Sequence, residues 1–287
     1  MKNLKNIKKL VLSLAVIFLA TACGNSDNSK NSGSSVSKES SQTKTIRVGL
    51  VGENNEVWED VKKRYEKDTG NKLELVAFTD YNEPNEALNS GDLDINAFQH
   101  KKFLQDYNKE NGTDLVEIGD TVLAPLGIYS SQIKNLDQLE TGDRIAIPDD
   151  TSNSARALFL LQSAGLIKVK GNPGDSISLD DITENPKKLD IVELAASQTA
   201  RSLDDVKASV INSGMAVDAG FIPTEDAIFL EDKDSPDSKI YVNVIAARKE
   251  DKDNKLYKDL VKNYYQTDQS AKIIEEISKG SQIPSWK

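Results

Sequence analysis

From Thr45 to the C-terminus, short apolar runs alternate with segments of helical period, and that alternation restricts the fold more than any other feature of the chain. Ile46-Arg47-Val48-Gly49-Leu50-Val51 reads as a buried strand, and Val57, Val61 and Tyr65, with Trp58 beside them, mark one face of a helix that stops at Gly70. The same rhythm continues: strand Leu73–Phe78, helix 82–89, strand Leu93–Phe98, helix 100–111 ending near Gly112, then strands 115–118 and 121–129. It resumes after Asp137-Gln138-Leu139 with strand 144–148, helix 153–164, strand 189–194, a helix near 203–206, strand 208–212 and helix 216–220. Strand 241–246 and two helices, near 255–265 and 269–279, close the pattern. Strands alternating with helices at this spacing imply an α/β fold, with mostly parallel sheets flanked by helices. The roughly 240 residues exceed what one compact core usually holds, so two α/β lobes are expected. A ligand then belongs beyond the carboxyl ends of the strands, where helices begin.

The N-terminus follows different rules. Lys2, Lys5, Lys8 and Lys9 precede an apolar run from Leu10 to Leu19, too short to span a bilayer, and small residues lead to Cys23. Residues 1–22 therefore read as an export signal, and Cys23, the single cysteine, as the site of lipid attachment, where two acyl signals give a stable anchor. The usual bacterial motif has Leu three residues before the cysteine, whereas here Leu19 stands four before it and Ala20 three before it. Residues 23–44, rich in Ser, Asn, Lys and Gln, bury too little surface to fold and are expected to form a tether of about 25 Å mean reach. A lipid-anchored protein on the extracytoplasmic face of a cell membrane follows, with the Ser/Asn tether and Lys-rich signal favouring a single-membrane cell.

Composition then removes whole classes of chemistry. Loss of the signal lowers the basic residues from 36 to 32 and leaves all 46 acids, a formal charge of −14 that disfavours nucleic acid and a polybasic membrane patch. With Cys23 consumed there is no disulfide or thiol chemistry, and with His100 the only histidine a His-rich metal site is impossible. No P-loop, G-x-S-x-G or G-x-G-x-x-G is present. Acid pairs such as Asp149-Asp150 and Asp180-Asp181 read as solvated loop residues. No cofactor, no metal and no enzymatic activity are expected.

Four clusters at strand ends or helix starts carry the remaining chemistry. They are Phe78–Asn85, Asp92–His100, Ile147–Leu158, and the pair Val210–Gly214 with Tyr241–Val244. In the third, Ser152 or Asn153 is expected to cap a helix whose first-turn N–H groups face an anion, with Arg156 one turn in to form a bidentate pair with a carboxylate. On pattern alone Asn153 could equally be only a cap and Arg156 a solvated charge. Asn212 and Asn243 each end an apolar strand, where an amide can take an ammonium or carboxylate or merely form a turn. Tyr81, Phe98 and His100 could be apolar walls or ordinary core.

Taken together, Phe78-Thr79-Asp80-Tyr81, Asn96-Ala97-Phe98-Gln99-His100, Asp181-Ile182-Thr183-Glu184-Asn185-Pro186 and Val210-Ile211-Asn212, behind a signal and Cys23, resemble the NlpA-type methionine-binding lipoproteins over about 46–280. The resemblance implies a periplasmic-binding-protein-like clamp of two lobes joined by two crossings, assigned as 45–125 with 243–287 and as 126–242. It implies a monomeric receptor that binds L-methionine between the lobes and hands it to an ABC permease and ATPase. Carried over by position, Arg156 would hold the ligand carboxylate with Asn153 beside it, Asn212 and Asn243 the head group, and Tyr81, Phe98 and His100 would enclose the thioether. His100 is then a neutral wall and hydrogen-bond partner rather than a base. Two departures from the family pattern stand out: Gly52-Glu53-Asn54-Asn55 replaces a Gly-Pro-His-like turn, and Ser154-Ala155 replaces Gly-Gly. Side chains at 154 and 155 are expected to narrow the pocket or alter its backbone, which leaves room for another small amino acid, a methionine derivative or a methionine-containing dipeptide. An enzyme on the same fold and a surface adhesin are the readings from other classes.

Overall fold

The computed structural model describes residues 43–53 and 55–287. The export signal, Cys23 and the tether up to residue 42 lie outside the described residues. Strand β1 (Thr45–Val51), helix α1 (Glu56–Thr69), β2 (Lys72–Phe78), α2 (Glu83–Ser90), β3 (Ile95–Asn96), α3 (Lys101–Asn111) and β4 (Val116–Leu123) follow in order. Next come β5 (Gly127–Tyr129), β6 (Arg144–Pro148), α4 (Thr151–Ser163), the hairpin β7 (Lys168–Val169) and β8 (Ile182–Glu184), β9 (Asp190–Leu194), α5 (Ala196–Thr199) and β10 (Ala208–Ile211). The chain ends with α6 (Ser213–Asp218), α7 (Pro223–Asp226), β11 (Phe229–Leu230), β12 (Val242–Ala247), α8 (Lys255–Asp259), α9 (Asp268–Ser278) and β13 (Ile283–Pro284).

These elements build two large sheets, ordered β13-β4-β12-β3-β1-β2 and β11-β5-β10-β6-β9, beside the separate two-stranded pair β7-β8. The chain passes from the first to the second through residues 124–126 and returns through 231–241. Parallel pairing holds β1 between β2 and β3, and β6 between β9 and β10, and parallel neighbours need the long crossover that intervening helices supply. The antiparallel strands β4, β5, β11 and β12 flank the two crossings.

Alternation decides which face each strand buries. On β12, Ile245 and Ala247 join Ile46, Val48, Leu50, Val61 and Tyr65 beneath α1 and α9, while Val244 and Ala246 join Leu88, Leu93 and Leu104 beneath α2 and α3. A sheet covered on both faces needs apolar residues at consecutive positions, and β12 supplies them. Helix α1 carries Glu56 and Glu59 in its first turn, where the macrodipole favours acids, and stops at Gly70, whose φ of 72° suits a left-handed cap. In the second lobe, α4 is buried continuously from Ser152 to Leu161, so it has no solvent face. Leu158 and Leu161 pack with Ile145, Ile147 and Val210 of the second sheet. Any polar side chain on such a helix must find a partner inside the protein.

Boundaries differ from the sequence reading where side-chain hydrogen bonds override apolar pattern. Helix α4 begins two residues early, at Thr151, because the Asp150 carboxylate accepts the Asn153 N–H at 3.0 Å and caps it. The expected cap at Ser152 or Asn153 is thus corrected, and the anion at the start of this helix is the protein's own. Strand β3 shrinks to two residues because Ala97 onward turns into the cap of α3. The 121–129 run splits at the crossing Ala124-Pro125-Leu126, where Pro125 has no N–H for a ladder.

Candidate functional site

A buried amide triangle sets one wall of the cleft. Asn85, Asn96 and Gln99 are all buried, and Asn85 Nδ2 donates to Gln99 Oε1 at 2.8 Å while Asn96 Nδ2 donates to Asn85 Oδ1 at 2.8 Å. Gln99 Nε2 closes the triangle on Asn96 Oδ1 at 3.0 Å. A fully satisfied network of this kind fixes the end of β3 and start of α3, and with them Phe98 and His100. Tyr81 is held by a different device: the Asp80 carboxylate accepts the Asn82 N–H at 2.8 Å, an Asx turn just ahead of α2. The rings meet in one group, with Tyr81 5.8 Å from Phe98 and both within 6.0 Å of Phe103, centroid to centroid.

His100 caps α3: its Nδ1 accepts the Phe103 N–H at 3.0 Å. A nitrogen that accepts carries no proton, so the ring proton sits on Nε2, which donates to Asn153 Oδ1 at 3.2 Å across the cleft. Burial, reinforced by the Arg156 charge, pushes the imidazole pKa down to about 3. His100 is therefore neutral across the physiological range, with both nitrogens committed.

The facing wall is polar. Asn153 Nδ2 donates to both carboxylate oxygens of Asp150 at 3.0 Å, and its Oδ1 also receives the Asn212 amide at 2.8 Å. Burial raises the Asp150 carboxyl pKa against the bonds from Asn153 and Ser152 that favour its charge. Asn212 is buried, and its Oδ1 has no hydrogen-bond partner among the described residues. An unpaired buried acceptor costs about 1–3 kcal/mol, so it marks where a donor is wanted. Arg156, only 3% exposed, donates Nε to Glu231 Oε1 at 2.9 Å and Nη2 to Glu231 Oε2, a bidentate pair, and Nη2 also reaches Ala124 O at 3.0 Å. Its guanidinium lies 4.2 Å above the Tyr241 ring. Among the described residues Nη1 has no acceptor.

All seven residues singled out from the sequence, Tyr81, Phe98, His100, Asn153, Arg156, Asn212 and Asn243, line one cavity of about 170 Å³. Asn243 reaches Phe98 O at 3.5 Å, and its backbone bridges His100. Besides His100–Asn153, hydrogen bonds cross the cleft from Thr151 Oγ1 to Glu110 at 2.7 Å, from Lys102 to Ser176 Oγ at 3.1 Å, and from the Glu53 N–H to Asp218 at 3.3 Å. Asp218 also explains Gly52: a Cβ there would sit 2.1 Å from its Oδ2, and φ is 93°. The sequence model of the NlpA lipoprotein family matches residues 46–286.

The chain belongs to the NlpA lipoprotein family.

Among its relatives, the D-methionine-binding lipoprotein MetQ of Salmonella typhimurium is 44% identical, over 84% of this chain and 88% of the relative. A solved nutrient binding protein from Burkholderia cenocepacia, bound to methionine, is 45% identical with a TM-score of 0.79, covering 84% of this chain and 99% of that one. The substrate binding protein of a methionine transporter from Streptococcus pneumoniae is 39% identical with a TM-score of 0.79, covering 84% and 99%. The two-lobed α/β clamp is thus the fold of this NlpA-family chain.

Three parts of the site escaped the sequence reading. Phe103 and Tyr241 flank the His100 ring at 6.2 and 5.2 Å, and Glu231 pairs with Arg156. Phe103 was legible in principle, three residues after the cap. Glu231, 75 residues from its partner, was not. The departure at Ser154-Ala155 turns out to lie off the cavity, a correction to the expected narrowing. Neither residue lines it, and the buried Ser154 hydroxyl donates to Glu193 of β9 at 2.7 Å. Asp181–Pro186 is likewise structural: it supplies β8, and Asn185 exchanges two hydrogen bonds with the Leu189 backbone. Among the described residues no group of three or more His, Cys, Asp or Glu is arranged to hold a metal, and no helix is long and apolar enough to cross a membrane.

Proposed function

We propose that this protein is the receptor of an ABC importer, anchored through a lipid on Cys23 to the extracytoplasmic face, and that it binds methionine between its lobes. The lobes are assigned as 45–125 with 243–287 and as 126–242. The observation that carries this reading is a cavity with opposed chemistries: the Arg156 donors and the orphan Asn212 acceptor on one side, and the rings of Tyr81, Phe98 and Phe103 on the other. A zwitterion fits such a pair of walls. Its carboxylate takes the Nη1 edge of Arg156, its ammonium donates to Asn212 Oδ1, with Asn243 at the same end, and the thioether lies against the rings, where sulfur–aromatic contact is favourable. Asn153 holds His100 and Asn212 rather than spending its amide on ligand. Bonds across the cleft favour the closed clamp that a permease and its ATPase would recognise.

A receptor, not an enzyme, is the role this site supports: its histidine has no free nitrogen to move a proton. Names of relatives supply the ligand class, and the Salmonella name specifies the D enantiomer. A second reading, a short methionine-containing peptide, draws on the extension of the cavity towards Leu50, Trp58, Tyr265 and Ile277. The test is calorimetry on the mature chain after unfolding, dialysis and refolding, with L-methionine, D-methionine and a methionine dipeptide in turn. One-to-one binding of a methionine enantiomer with the lowest Kd is the expected result. Tighter binding of the dipeptide transfers the assignment to the second reading, and no binding of any of the three removes it.

A further inference from the structure

The Arg156 side chain reaches the cavity already neutralised. Glu231 lies in the return crossing, immediately after β11, and grips Arg156 through both carboxylate oxygens. The same carboxylate accepts the Leu126 N–H at 3.0 Å, and Arg156 Nη2 donates to Ala124 O at 3.0 Å. The ion pair is therefore bolted to both segments that join the lobes, and the guanidinium is fixed with one edge closed by Glu231 and Nη1 on the other. Two further acids stand close to the cavity, Asp150 beneath Asn153 and Asp218 at the mouth, engaged with the Glu53 N–H, while Lys102, whose charge reaches His100, is itself paired with Asp106. No second cation stands among the cavity-lining residues.

We propose that Glu231 is a positioning residue for Arg156 and sets the charge selectivity of the site, so that it accepts a net-neutral amino acid and rejects an anion of the same shape. The inference rests on the reading of Arg156 as the ligand's carboxylate partner. Physically, a lone buried guanidinium would draw any carboxylate strongly, with or without an ammonium beside it. Paired with Glu231, its attraction for a net negative charge is offset at short range, in a setting where charges are poorly screened. A ligand then has to bring its own cation, which Asn212 Oδ1 and the nearby acids accept. Glu231 does not line the cavity, so it acts through Arg156 and not by touching ligand.

Three ligands of nearly one shape separate charge from fit: methionine, its α-hydroxy acid with net charge −1, and its carboxamide with net charge +1. Their Kd values are measured by calorimetry on the mature chain, wild type and Glu231→Gln, with folding checked by circular dichroism. Methionine binds the wild type best, and in Glu231→Gln the ratio of hydroxy-acid to methionine Kd falls about tenfold, equivalent to ~1.4 kcal/mol. The carboxamide moves the opposite way. Equal weakening of all three, or an unchanged ratio, overturns the role of Glu231 while leaving the receptor reading intact. Failure of the wild type to bind any of them overturns both. Glu231→Asp carries the test if the Gln variant does not fold: its charge is kept, so the ratio stays while the methionine Kd rises several-fold, and an unchanged Kd overturns the positioning role.

Discussion

The two walls of the cleft are built by opposite means. The aromatic wall comes from neighbouring stretches of the first lobe, Tyr81 and Phe98 to Phe103, fixed by local devices: an Asx turn, an amide triangle and a histidine cap. The polar wall is assembled from Asp150, Asn153, Arg156, Asn212 and Glu231, four of which depend on partners 59 to 75 residues away or across the cleft. Apolar contact is forgiving of small displacements, whereas a buried charge tolerates none without a partner. The first wall should therefore yield gradually to mutation and the second abruptly.

Arg156→Ala puts that contrast to its hardest test. It leaves the Glu231 carboxylate, 19% exposed, facing a void, and should lower the unfolding free energy by roughly 3–5 kcal/mol in denaturant melts while erasing ligand-induced thermal stabilisation. An unchanged midpoint would mean that the polar wall is as forgiving as the aromatic one. Phe98→Ala sharpens the other side. Losing one half-buried ring should weaken binding of the proposed methionine ligand by about ten- to a hundred-fold, a cost of ~1.5–3 kcal/mol, with the fold retained. A collapse of folding in that variant would show that the ring is core first and ligand wall second.

The third test uses pH at the point where the walls meet. His100 has a folded pKa of about 3 against 6.5 when unfolded, so between these values the unfolded chain binds a proton that the native state does not. Its contribution is complete above pH 6.5 and is lost as pH falls towards 3, with a slope of about 1.4 kcal/mol per pH unit. His100→Asn puts a capping amide oxygen in place of Nδ1 and removes the titration, so the difference in slope between variant and wild type isolates this group. Equal slopes would show that His100 titrates freely in the fold. The smallest effect belongs to Ser154→Ala, off the cavity on the back of α4. About 1 kcal/mol of stability should go with the bond to Glu193, and the ligand Kd should not move. A tenfold change in Kd would place residue 154 in the binding site after all.

Much of this was legible in the sequence because it is local. Period 2 and period 3.6 placed β1, α1, α3 and β10 within a residue or two, and Gly70 and Gly112 ended their helices as left-handed caps do. The short strands β7, β8, β11 and β13 were missed, since two or three residues leave no period to read. The seven cavity residues were found through family resemblance as well as chemistry, and the strand-end rule agrees with their lining one cavity.

What the sequence determined alone was the order of strands and helices, the two-lobe class and the residue types available to a cleft. Those follow from side-chain periodicity and backbone stereochemistry, which act over a few residues. Tertiary structure decided the electrical state of that cleft. Asp150 took the start of α4, Asn153 tied His100 to Asn212, and Glu231 returned along the second crossing to close one edge of Arg156. A buried charge must be matched by whatever group the fold brings within hydrogen-bond reach, and no rule of sequence spacing says which group that is.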